Sequence, residues 1–175
     1  MLIGMGNKVL VVLGDNQVAS LGLVRTLIKH DSGLSRRFVT LMCCCQASYW
    51  EHGGGTGTAD RAAFAQEITQ ADARYERHME LADQTFAAAT DLLMEAGVPE
   101  ANITCHICFK GHGLVDAVMH EARQYAYSAV LVNRCHEDVI NRLAKRGIWQ
   151  LFSSRTPQLR VCAVDVEAMQ AEIVA

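Results

Sequence analysis

Basic clusters, long apolar runs and proline are what this chain of 175 residues has least of. No run of Lys or Arg exceeds two neighbours, and 16 basic residues stand against 19 acidic ones for a formal net charge of −3. A nucleic-acid binder ordinarily carries a basic patch or stripe, so nucleic acid is not an expected partner. Apolar runs such as Val9–Leu13 and Ala129–Val132 fall far short of the ~18–20 residues that a membrane-spanning helix needs. No membrane span is expected. With 2 Pro, 20% charged residues and 50% hydrophobic ones, collagen-like repetition and disorder are excluded. The start, Met1–Lys8, runs straight into a strand-like segment without the basic region, apolar stretch and cleavage site of a secretory leader, so a cytoplasmic location is expected. Seven cysteines is an odd number, and Cys43, Cys44 and Cys45 are consecutive, which a disulfide framework rarely uses. Reduced thiols are expected.

What the chain does have is an alternation of strand and helix patterns. Lys8–Leu13 is a β-branched run closed by Gly14-Asp15-Asn16, the pattern of a buried strand and a turn. Val18, Leu21, Val24, Leu27 and Ile28 then recur at helical spacing until Asp31-Ser32-Gly33 stops them. A second strand is expected over Arg37–Cys44, followed by a loop through Gly53–Thr58. Between Asp60 and Gly97, Phe64, Ile68, Ala71, Tyr75, Met79, Ala82, Phe86, Ala89 and Leu93 step by threes and fours, one face of a long amphipathic helix ended by Gly97 and Pro99. Such a helix would run to roughly 50 Å, against the ~20–25 Å needed to cross a sheet, so its first half should protrude, break or pack on a partner.

Ile103–Phe109 reads as a third strand, Leu114–Ala126 as a helix, Ser128–Asn133 as a fourth strand. A helix before Pro157 and a fifth strand over Leu159–Val164 follow. Val166–Ala175 reads as a weakly helical or irregular tail. This order implies one domain over 1–175 with its core at about 8–165, built as a three-layer αβα sandwich around a parallel sheet with right-handed crossovers.

On the strand and turn Lys8–Asn16, the turn Lys110-Gly111-His112-Gly113, the stretch Ala122–Asn133 and Pro157 ahead of the last strand, the chain resembles the universal stress protein (UspA-like) family, within the adenine nucleotide α-hydrolase-like folds. The resemblance implies a five-stranded parallel sheet of order 3-2-1-4-5, a cytoplasmic role in stress response without catalysis, and a homodimer formed along the fifth strand. That edge would be Leu159, Arg160, Val161, Cys162, Ala163 and Val164, apolar and exposed in a monomer. Many similar proteins bind ATP where strands one and four diverge, as open parallel sheets do at their switch point. They use an Asp at the end of the first strand and the pattern G-x2-G-x9-G-[ST] after the fourth.

This chain departs from that pattern. Leu13 holds the position of the Asp, with Asp15 two residues on, and Asn133-Arg134-Cys135-His136-Glu137-Asp138 lacks the first two glycines. Acidic residues in a first helical turn would repel a triphosphate, so weak or absent ATP binding is expected. Candidate ligand contacts are Leu13, Gly14, Asp15, Lys110, Gly111, His112, Gly113, Asn133, Arg134 and His136, the basic ones able to clamp an anion. An adenine-nucleotide sensor or slow ATPase using these residues is the alternative, and a thiol or metal module on Cys43–Cys45 with Cys135 and His136 is a third. Neither a catalytic group nor a metal site is expected, because no nucleophile with a positioned base and no metalloenzyme motif occurs. Cys105 and Cys108 match C-x-x-C, but on a strand positions i and i+3 face opposite ways. His78 with Glu80, and His120 with Glu121, should lie at the surface.

Overall fold

In the computed structural model, which describes residues 7–45, 61–109, 114–125, 127–133, 160–165 and 170–173, strand β1 (Lys8–Leu13) is the middle of the sheet. It pairs in parallel with β2 (Phe38–Cys45) on one side and β4 (Ala129–Asn133) on the other. Beyond these lie β3 (Ile103–Phe109) and β5 (Arg160–Asp165), also parallel. The order 3-2-1-4-5 is as expected. β1 is apolar on both faces because both are covered. Val9, Val11 and Leu13 join the core under α1 (Gln17–His30) and α2 (Arg61–Glu95), while Leu10 and Val12 join the core under α3 (Leu114–Gln124). β4 divides in the same way, Leu131 to one face and Val130 and Val132 to the other.

Local chemistry sets the helix ends. Asn16, in an extended conformation, caps α1 by accepting the Ala19 N–H at 3.1 Å, the usual N-cap contact. The exit is held by Asp31, whose carboxylate accepts the Gly33 N–H and pairs with the buried Arg37 guanidinium, both at 3.1 Å. α2 ends at Gly97, where φ is +88°, a region that glycine enters without steric penalty. The Gly97 N–H donates to the Met94 carbonyl and the Val98 N–H to that of Leu93, each at 2.9 Å. Val98 and Leu93 are both buried in the same core, so the stop is a Schellman motif with its hydrophobic contact.

α2 is one continuous helix of 35 residues, about 52 Å long at the standard rise. Ala82, Phe86, Ala89 and Leu93 pack on the sheet, whereas residues 72–77 are all exposed, Tyr75 included. The helix therefore does not break, and its 72–77 stretch stands clear of the packing. Among the described residues no helix is long and apolar enough to cross a membrane.

One expectation needs correction. Within the tail expected to be helical or irregular, Gln170–Ile173 forms a sixth strand, β6, antiparallel to β5 from Cys162↔Ile173 to Asp165↔Gln170. The fifth strand is not the edge of the sheet. From Cys162 to Asp165 its outer side pairs with β6, while Arg160 and Val161 lie before that register, so a second copy would find most of this edge already occupied. Leu159, the helix expected before Pro157 and the Gly53–Thr58 loop lie outside the described residues.

Candidate functional site

β1 and β4 stay in register to Val12↔Val132, and the chain leaves β1 in opposite directions on its two sides. This is the switch point, where open parallel sheets take ligands. Leu13 is 2% exposed and belongs to the core under α1 and α2. At the position where the resemblance calls for a carboxylate, an apolar side chain points into packing. Gly14 follows, its N–H donating to the Ser20 hydroxyl and its carbonyl accepting from that hydroxyl, both at 3.1 Å. This reciprocal pair fastens the turn onto α1 and leaves Asp15 exposed.

A small cavity of about 10 Å³ opens here, lined by Gly14, Asp15, Cys43, His78 and Thr85 among others; this is the scale of one water molecule. Asp15 and His78 bring polar side chains to its lining. Asn133 ends β4, half-buried beside its β5 partner Val164. The other candidate contacts, Lys110, Gly111, His112, Gly113, Arg134 and His136, lie outside the described residues, as do Glu137 and Asp138. His78 was expected at the surface, yet it lines the cavity because it precedes Ala82 and Thr85 by four and seven residues on one helix face; that periodicity was the available signal.

A second polar site lies under α3. Glu121 is 4% exposed, not at the surface as expected. One carboxylate oxygen accepts the Tyr127 hydroxyl at 2.8 Å and the other pairs with His106 Nδ1 at 3.1 Å. The Tyr127 oxygen also lies 3.0 Å from the Thr40 hydroxyl. Tyr127 has one proton, which goes to the carboxylate as the stronger acceptor, so Thr40 donates to the phenol oxygen. Burial pushes the Tyr127 phenol well above its ordinary range; the Thr40 hydroxyl opposes this and Glu121 adds to it. Next to Tyr127, the Ser128 hydroxyl donates to the Lys8 carbonyl at 2.8 Å and the Lys8 ammonium sits 5.7 Å from the Tyr125 ring centroid. These contacts begin at the amino ends of β1 and β4, opposite the ligand-bearing ends, which marks the cluster as a tie between elements. Glu121 follows the buried Val118 by three residues, a hint of burial that its charge concealed.

Cys105 and Cys108 do not converge. Cys105 is exposed, 3.9 Å from the Thr90 hydroxyl of α2, while Cys108 packs beside the core under α3. Partial burial raises the Cys105 thiol above its ordinary pKa, with Thr90 pulling the other way, and a raised thiol is a poor nucleophile. Cys43 and Cys162 are buried in the core under α1 and α2. Among the described residues no group of three His, Cys, Asp or Glu side chains is placed to hold a metal ion.

No protein-family model matches the chain, and neither does any curated protein. Solved structures do. A universal stress protein family member from Burkholderia pseudomallei superposes with a TM-score of 0.50 at 15% identity, over 89% of this chain and 94% of its own. A protein described as hypothetical superposes with a TM-score of 0.51 at 13% identity, over 91% of this chain and 97% of its own. At such identities the likeness establishes a shared fold, a universal stress protein-like α/β sandwich, across nearly the whole chain.

Proposed function

We propose that this chain acts as a universal stress protein-like cytoplasmic homodimer in stress response, without catalysing a reaction and with weak or no ATP binding. The observation that carries the reading is Leu13. It is buried in the core at the end of β1, where nucleotide-binding members of the resembling family present a carboxylate, and nothing apolar can replace a charge-assisted hydrogen bond. In the homodimer the interface lies away from β5, most of whose outer edge β6 occupies.

Purified protein, denatured and analysed by mass spectrometry, should release no stoichiometric adenine nucleotide, and calorimetry with ATP and AMP should show no binding at micromolar concentrations. Recovery of one nucleotide per chain would instead establish the second reading, an adenine-nucleotide sensor or slow ATPase. That reading has one feature in its favour, the presence of Asp15 and His78 together in the lining of the small switch-point cavity. Asp15→Ala would then abolish the binding.

A further inference from the structure

We propose that the outer edge of β3 is where two copies of this chain meet, antiparallel, about a two-fold axis at His106. This rests on the homodimer reading and assigns its interface. The two edges of the sheet are β3 and β6, and they are built differently. β6 is four residues long and carries Glu172, and a short, charged strand is how natural sheets discourage pairing. β3 has seven residues, Ile103–Phe109, with no Lys, Arg, Asp, Glu or Pro. It matches β2 in seven consecutive pairs from Val39↔Ile103 to Cys45↔Phe109, without the bulge that would twist an edge out of reach. Among the described residues no element pairs with its outer side, and Thr104, Cys105 and His106 are exposed.

The strand is also complementary to itself. His106 is its central residue, so a two-fold axis there sets His106 against His106 of the second copy. It likewise opposes Cys105 to Ile107, Thr104 to Cys108 and Ile103 to Phe109. No fixed charges oppose one another. The imidazoles that meet are each held by a carboxylate of their own chain, because Glu121 lies 3.1 Å from His106 Nδ1 while the His106 side chain remains 48% exposed. An isologous pairing of this kind closes. Among the described residues it leaves the two short β6 edges outward, so a dimer forms rather than a fibre.

The test uses the whole chain at micromolar concentration in light scattering. The wild type should be a dimer. Cys105→Lys, which sets a charge against Ile107 of the other copy, should weaken the dimer at least about tenfold while circular dichroism and melting stay unchanged. Gln170→Lys on β6 should leave it intact. His106→Cys, mildly oxidised with glutathione disulfide, should give a covalent dimer with a 106–106 linkage in peptide mass spectrometry, because facing strand residues lie within disulfide reach. If Cys105→Lys fails to fold, the cross-link decides. A wild-type monomer overturns both the interface and the homodimer reading. A dimer that lacks the 106–106 linkage, that survives Cys105→Lys, or that Gln170→Lys breaks, rejects the β3 edge and leaves the homodimer standing.

Discussion

On the face covered by α1 and α2, the buried side chains Val9, Val11, Leu23, Leu27, Leu41 and Leu93 form an apolar layer, and its buried hydroxyls are satisfied locally, Ser20 by the Gly14 backbone and two threonines within their own helices. Thr26 donates to the Gly22 carbonyl at 2.8 Å and Thr85 to that of Leu81 at 2.7 Å. On the face covered by α3, Leu10, Val12, Met42, Val118 and Val130 share the interior with Glu121. Its hydrogen bonds reach across the fold: Tyr127 and Thr40 are 87 residues apart in sequence. The first face is held by packing that any apolar residue of the right volume would support. The second is held in part by directional contacts that specify which strand and helix go together.

That difference predicts different responses to truncation. The largest effect belongs to the packed face. Leu27 is fully buried, and Leu27→Ala should cost about 2–5 kcal/mol through lost transfer energy and the cavity left behind. Urea unfolding should show it as a lower midpoint with unchanged slope. A cost below about 1 kcal/mol would mean that this layer collapses around the gap, and the contrast between the faces would fail.

Next in size is Glu121→Ala, expected to cost about 1–3 kcal/mol because Tyr127 is left buried without its acceptor. Here the cost should depend on the partner. In the Tyr127→Phe background the same substitution should cost less, with a coupling energy of about 0.5–3 kcal/mol between the two sites. Strict additivity would show that the carboxylate and phenol do not act together, and the α3 face would then be held by packing alone.

The same contrast explains what could be read from the residues alone. β1, β2, β3 and β4 were legible because continuous apolar or alternating runs bounded by turn residues have few other uses. The end of α2 was legible in Gly97 and Pro99, and the three-four spacing from Phe64 to Leu93 implied its continuity. The change from exposure over 72–77 to burial at Ala82, Phe86, Ala89 and Leu93 follows from the width of the sheet, a tertiary quantity. β6 was not legible, since Gln170-Ala171-Glu172-Ile173 has little intrinsic strand preference and becomes a strand by pairing with β5. Glu121 and His78 were missed for a related reason. Each has a helical position that points inward, but a charged or titratable residue is assigned to the surface unless its partner is known. The partners of Glu121 come from β3 and the segment before β4. At the switch point Leu13 was legible as the last apolar residue of β1, and it is buried in the core.

The smallest effect is also the most specific to the α3 face. Tyr127→Phe removes one hydroxyl and should cost about 0.5–1.5 kcal/mol at neutral pH. The phenol's pKa is raised in the folded protein by burial, against the Thr40 hydroxyl and with the help of Glu121. Below pH ~10, the ordinary tyrosine value, the phenol is protonated in both folded and unfolded chains, and its contribution is fully present. Above that, the unfolded chain loses the proton first, so stability falls as pH rises toward the folded value. Urea midpoints of wild type and Tyr127→Phe should therefore converge between pH 8 and pH 11, an interval set by the ordinary tyrosine pKa of about 10. Every other group is common to both proteins and cancels in the difference. A gap that stayed constant across that interval would mean that the Tyr127 hydroxyl reaches water in the folded state, and that the α3 face is less closed than its hydrogen bonds imply.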